Sequence, residues 1–159
     1  ASALLTCAEL IRGGTTAFLS METVRHTSAT FQAVEEAGLM GVIGHCLMDE
    51  SCEYQPLAVD IDDGIADCDV LLQHFGLSED VRLAVAPRFA LSCSRELLSA
   101  AGELAAKHDL PVQTHLSENT DEIAAVGAML PGDAGFVDCE YESTASATGP
   151  LASNVTICM

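Results

Sequence analysis

Short, almost wholly apolar runs recur along the chain and alternate with longer segments patterned at helical spacing. The apolar runs are residues 15–21, 41–48, 81–89, 112–116 and 155–158. Between them, residues 3–12, 27–37, 58–75, the stretch after Ser94 and residues 120–130 place apolar groups on one helical face, as Leu97, Leu98, Ala101, Leu104 and Ala105 do. Gly13-Gly14, Gly38 and Gly76 close three of these stretches, and Ser94 stands where a helix N-cap belongs. A run that is apolar at every position suits a strand covered on both faces, which is the habit of parallel sheets. Parallel neighbours require a crossover, normally a right-handed helical one. The pattern therefore predicts an α/β chain of five parallel strands and five helices. Residues 132–153, rich in Gly, Ser, Thr and Ala, read as a long connection, and 159 residues make one domain, 1–159. A complete (β/α)8 barrel takes about 250 residues. The alternation fits either a smaller doubly wound sheet or part of a barrel.

Charge narrows the partners. Lys and Arg total 6 against 24 Asp and Glu, for a net charge of −18. Nucleic acid is excluded as a partner, because phosphate backbones are held by clustered cations. Aromatic residues are 4% of the chain and Trp is absent, so base-stacking surfaces are also poorly supplied. No apolar run approaches the ~18–20 residues of a membrane span. So acidic a surface stays hydrated and repels itself at low salt, as in proteins adapted to a salty cytoplasm. Seven cysteines, an odd number without a C-x-x-C pair, read as buried thiols of a reducing, cytoplasmic compartment. The chain begins Ala1-Ser2-Ala3 without an initiator Met or a basic leader, so a missing N-terminal portion is expected.

Several motifs fail on spacing. Asp60, Asp62, Asp63, Asp67 and Asp69 suggest a calcium loop, but Gly64 comes one place early and Leu71 stands where the closing Glu belongs. The cluster reads as a solvated helix entrance. Gly38, Gly41 and Gly44 do not follow the dinucleotide fingerprint, and there is no G-x-S-x-G elbow. Cys93, beside a helix N-terminus, has the position of a thiol with lowered pKa but lacks a neighbouring His in sequence. The informative segment is Pro111-Val-Gln-Thr-His-Leu-Ser-Glu-Asn119. Strand alternation puts Gln113 and His115 on one face, with Glu118 in the loop beyond. An imidazole at a strand end and a carboxylate three residues later suit a metal ligand and a proton carrier. By spacing alone, a strand-end His with an ordinary structural role is the favoured reading.

Ala86-Pro-Arg-Phe-Ala-Leu-Ser-Cys-Ser94, followed by a helix and Gln113-Thr-His-Leu-Ser-Glu-Asn-Thr-Asp-Glu122, resembles the guanine deaminase family of the amidohydrolase superfamily. Arg12-Gly-Gly-Thr-Thr16 and Gly44-His-Cys-Leu-Met-Asp49 resemble that family's second- and third-strand segments. The resemblance implies a partial (β/α)8 TIM-type barrel of the metal-dependent amidohydrolases, covering strands two to six. It further implies a single zinc, with His115 as the fifth-strand ligand and Glu118 as the acid/base. Arg88 and Phe89 match the pair that binds guanine. A planar guanidinium reads polar purine edges, and an aromatic ring packs against the base.

The departures from the family pattern are specific. No two histidines are separated by one residue, so the first-strand H-x-H pair is absent. The sixth-strand His and eighth-strand Asp are absent too, and His26, His45, His74 and His108 match no ligand position. A catalytic zinc usually takes three protein groups, so this stretch supplies one ligand of a set. The resulting expectation is part of a hydrolase that converts guanine to xanthine and ammonia. An inactive truncated amidohydrolase, or an aminohydrolase or chlorohydrolase acting on another ring, is the alternative. An open half-barrel would also expose strand edges that invite self-association into a homo-oligomer.

Overall fold

The computed structural model describes residues 1–50, 55–76, 78, 80–129 and the backbone of 155–158. The expected connection 132–153 lies outside these residues. Among the described residues, five helices and five strands follow one another as α1 Ser2–Arg12, β1 Ala17–Met21, α2 Thr27–Ala37, β2 Met40–Leu47, α3 Ile61–Phe75, β3 Val81–Pro87, α4 Arg95–His108, β4 Val112–His115, α5 Thr120–Met129 and β5 Val155–Cys158. Short 3-10 turns occupy Gln55–Leu57 and Ala90–Ser92.

The strands form one sheet in the order β1-β2-β3-β4-β5, every neighbouring pair parallel. That order decides between the two architectures left open by the alternation. A doubly wound sheet reverses its strand order at a switch point and carries helices on both faces. Here each crossover steps one strand in the same direction. One face of the sheet, through Ile43, Leu47, Leu83, Val85 and Val112, shares a single core with Cys7 of α1, Phe31 of α2, Leu71 of α3 and Leu97 of α4. Phe31 and Phe75 stack inside this layer at 4.8 Å between ring centres. The arrangement is an arc of a (β/α)8 barrel.

The alternate strand positions line the inner face, which is built of small residues. Gly44 and Ala86 make room for the side chain of Gln113, which is fully buried. A Cβ on Gly44 would lie 2.5 Å from Gln113 Oε1 and 3.0 Å from both Ala86 Cβ and the Ser20 carbonyl oxygen. Toward the strand ends, Cys46 and Met48 pack with Val24 in a smaller cluster.

Element boundaries follow from local bonding. Asp60 caps α3 by accepting from the Asp62 amide at 3.0 Å, and Val59 N–H donates to the Met48 carbonyl at 2.8 Å. Residues 58–60 therefore stay outside a helix expected from 58. The acidic stretch is a capped helix entrance, with Asp62 and Asp63 in the first turn. Ser94 caps α4 as its position suggested, accepting from the Leu97 amide at 3.0 Å, and Gly38 ends α2 with φ of 69°. The third strand stops at Pro87, two residues before its apolar run ends, which releases Arg88 and Phe89 into the following loop. The fourth stops at His115, because Ser117 takes a left-handed backbone with φ of 57°.

Candidate active site at the carboxyl ends of the strands

In a barrel of this topology the loops after the strands gather at one rim, where reactive groups collect. His115 is the last residue of β4, and Arg88 and Phe89 follow the last residue of the neighbouring β3. They meet at one atom, the Arg88 carbonyl oxygen. It accepts the His115 backbone N–H at 3.0 Å and lies 3.1 Å from His115 Nδ1. A carbonyl only accepts, so this contact places the ring proton on Nδ1 and leaves the Nε2 lone pair available. Metal-binding histidines are commonly held this way. The Arg88 N–H donates to the Leu47 carbonyl at 3.0 Å, so the β2, β3 and β4 ends are stitched together through one residue. The Arg88 side chain is exposed, with its guanidinium carbon 5.2 Å from the centre of the half-buried Phe89 ring, within cation–π range.

Glu118 is exposed on the same rim. Its backbone N–H donates to Glu122 Oε2 at 2.9 Å, and Asn119 Oδ1 accepts from the amides of Asp121 and Glu122 at 3.1 and 2.9 Å. This reciprocal cap starts α5 and fixes the turn that carries Glu118. The Asn-x-x-Glu spacing of Asn119 and Glu122 is its sequence signal. A second carboxylate, Asp49, follows β2 and binds Ser94 at the head of α4. No local pattern announces that pair, because its partners are 45 residues apart.

The remaining candidates sit elsewhere. His45 is buried on the helix-facing side of β2, with Nδ1 2.8 Å from Thr27 Oγ1. Burial lowers its pKa, partly opposed by the negative charge of Asp67. His26 precedes α2, His74 Nδ1 bonds the Val70 carbonyl of its own helix, and His108 Nε2 at the end of α4 faces Asp69 at 3.7 Å. Cys93 has no lowered pKa. It is fully buried, its Sγ lies 3.4 Å from the Leu47 carbonyl oxygen, and burial pushes its pKa up to about 11. The helix N-terminus beside it does not offset that desolvation. Cys46 is likewise pushed up to about 11, by burial and then by neighbouring Cys93. Cys68 reaches about 12, again mainly by burial. Cys7, Cys46, Cys68 and Cys93 are all buried and free.

Among the described residues no group of three His, Cys, Asp or Glu side chains could hold a metal ion. His115 fits as one ligand, with its tautomer already set, and the described residues do not complete a set. Nor is any helix among them long and apolar enough to cross a membrane.

Comparison with known proteins agrees with this geometry. The chain is 36% identical over 124 residues to a 5-methylthioadenosine/S-adenosylhomocysteine deaminase of Syntrophobacter fumaroxidans, a match covering 77% of this chain and 27% of that protein. A probable guanine deaminase of Schizosaccharomyces pombe is 52% identical over 60 residues, covering 38% of this chain and 11% of its own length. The crystal structure of guanine deaminase from C. acetobutylicum, with guanine bound in its active site, superposes with a TM-score of 0.73 at 32% identity. That superposition covers 79% of this chain and 30% of the other. The chain thus spans about a third or less of the length of these relatives. The profile of the amidohydrolase family, whose members are generally metal-dependent, matches residues 1–141. A match of that extent takes in the first four strands and the rim they build, and the chain belongs to the amidohydrolase family.

Proposed function

We propose that this segment is the purine-reading part of a hydrolytic deaminase that converts guanine and water to xanthine and ammonia. The observation that carries the reading is the Arg88–Phe89 pair, held directly against His115 by the Arg88 carbonyl. A guanidinium has only donors. It suits the acceptor edge of guanine, while the Phe89 ring offers an apolar face to the base. Glu118 is the proposed acid/base. It takes a proton from the attacking water, delivers it to the ring and assists the departure of ammonia. His115 Nε2 would be one ligand of a zinc, which when bound supplies hydroxide near neutral pH.

The guanine deaminase relative of S. pombe and the guanine-bound structure support this substrate. The longer match to a methylthioadenosine/adenosylhomocysteine deaminase favours a second reading, an adenine-bearing nucleoside as substrate. A barrel carrying residues 1–159 should be offered guanine and 5′-methylthioadenosine in parallel, with ammonia release followed. Guanine turnover is expected, with Glu118→Gln lowering kcat about 10²–10⁴-fold at unchanged metal content. Arg88→Ala should act mainly on KM. Deamination of the nucleoside alone would replace the guanine reading with the second one. A near-normal kcat in Glu118→Gln would remove Glu118 from the proton path.

A further inference from the structure

Asp49 stands just beyond β2 on the same rim as Arg88 and His115, where a carboxylate is readily taken for a metal ligand or a proton carrier. Its bonds point elsewhere. Oδ1 accepts the Ser94 backbone N–H at 2.7 Å and Oδ2 accepts the Ser94 hydroxyl, so both oxygens are engaged by one residue. Ser94 Oγ in turn accepts the Leu97 amide at 3.0 Å and caps α4. The rest of the loop is tied to the same strand end. Arg88 N–H donates to the Leu47 carbonyl at 3.0 Å, Glu50 N–H to the Ser92 carbonyl at 3.1 Å, and Cys93 Sγ to the Leu47 carbonyl at 3.4 Å. In all three of these ties the β2 side contributes only backbone. Of these four ties, only the one at Ser94 takes a side chain from the β2 side, and a charged one, whose bonds are shorter and stronger than neutral ones.

We infer that Asp49 is a positioning residue. It locks the far end of the loop 88–94 and so holds Arg88 and Phe89 at the place where substrate is read, while itself taking neither metal nor proton. The inference rests on the guanine reading above. Its chemistry also predicts which replacement is tolerated. Asn keeps an oxygen for the Ser94 amide, whereas Ala leaves that amide and the hydroxyl without their acceptor.

The test uses Asp49→Ala, Asp49→Asn, Ser94→Ala and the double variant Asp49→Ala/Ser94→Ala, in a barrel carrying residues 1–159. Asp49→Ala should raise KM for guanine about tenfold or more, the scale expected for a lost bond to a charged group. Its kcat should change less than about threefold, with metal content and the pH profile of kcat unmoved. Asp49→Asn should recover most of the KM. In KM the double variant should be little worse than Asp49→Ala, because the hydroxyl bond that Ser94→Ala removes is already lost with the carboxylate. Amide hydrogen exchange across residues 88–97 should quicken in Asp49→Ala and not in Asp49→Asn.

Loss of metal, or a large fall in kcat with a displaced pH profile, would overturn the inference and make Asp49 a ligand or a proton carrier. An unchanged KM or additive effects would overturn it as well. If Asp49→Ala does not fold, Asp49→Asn and Ser94→Ala decide it by the same KM and exchange readouts. If the unaltered barrel does not turn over guanine, the functional reading fails by itself. Exchange then decides the clamp alone, with unchanged exchange across 88–97 in the variants overturning it.

Discussion

At the scale of single residues, the buried polar groups separate into those that organise the rim and those that only hold the layers together. His115 and His45 lie on β4 and β2, one strand apart across β3 in the same arc, and they face opposite ways. His115 ends its strand on the inner face with Nδ1 on a carbonyl. His45 is sealed beneath α2 against Thr27. Strand alternation assigns the two faces, but which face is the barrel interior depends on where the helices pack. The burial of His45 has a pH consequence. Desolvation holds its folded pKa below the ordinary 6.5, with Asp67 opposing in part. The unfolded chain therefore binds the proton more readily. The associated stability is full above 6.5 and is lost as the pH falls from there through the folded value, by at most about 1.4 kcal/mol per pH unit. Thermal melting between neutrality and mildly acid pH should show this decline, and His45→Gln should flatten it. Equal slopes for the two proteins would mean that His45 contributes nothing to the acid sensitivity.

At the scale of elements, the caps were the most legible features of the chain. Ser94 and Gly38 sit where a hydroxyl acceptor and a left-handed backbone are required, and both requirements are local. Asp60 does the same for α3, so Asp60→Ala should cost about 1 kcal/mol, visible as a lower melting midpoint with little change in the native far-ultraviolet spectrum. An unchanged midpoint would show that the Asp62 amide is equally well satisfied by water. Strand ends were less legible. The apolar run of β3 continues through Phe89, but the strand stops at Pro87, and this shortfall places Arg88 and Phe89 at the rim. Apolar character reports burial, and buried residues continue past the last ladder bond into the loop packed above the sheet. The Asp49–Ser94 tie was illegible for another reason, since it exists only once β2 and α4 are neighbours.

At the scale of the whole molecule, 24 acidic side chains face 6 basic ones. The ion pairs seen among the described residues include the exposed Arg12–Glu9 contact at 3.3 Å and the contact of His108 with Asp69. Exposed pairs of this kind contribute little. Like-charge repulsion is therefore the larger effect, and it is screened over about 10 Å at 0.1 M salt and over less at higher salt. The melting midpoint should rise from dilute buffer to molar KCl. A flat or falling midpoint would mean that the acidic groups are too dispersed to repel one another.

The amino-acid sequence by itself determined the alternation of helix and strand, the parallel sense of the sheet, the caps at Ser94 and Gly38, the burial of the described cysteines and the placement of His115 at a strand end with Glu118 in the loop beyond. Each of these follows from periodicity or from bonds spanning a few residues. Periodicity left open whether the strands run in sequential order around an arc or reverse in a doubly wound sheet; the family resemblance implied the arc, and the sheet order bears that out. The apolar strands of the two architectures read alike, because both are covered on two faces. Only tertiary packing decided the His115 tautomer, through a carbonyl 27 residues away. It reversed the sign expected for the Cys93 pKa, because the desolvation of that thiol depends on β2 lying across it. Both effects arise from neighbours distant in sequence, which local pattern does not encode.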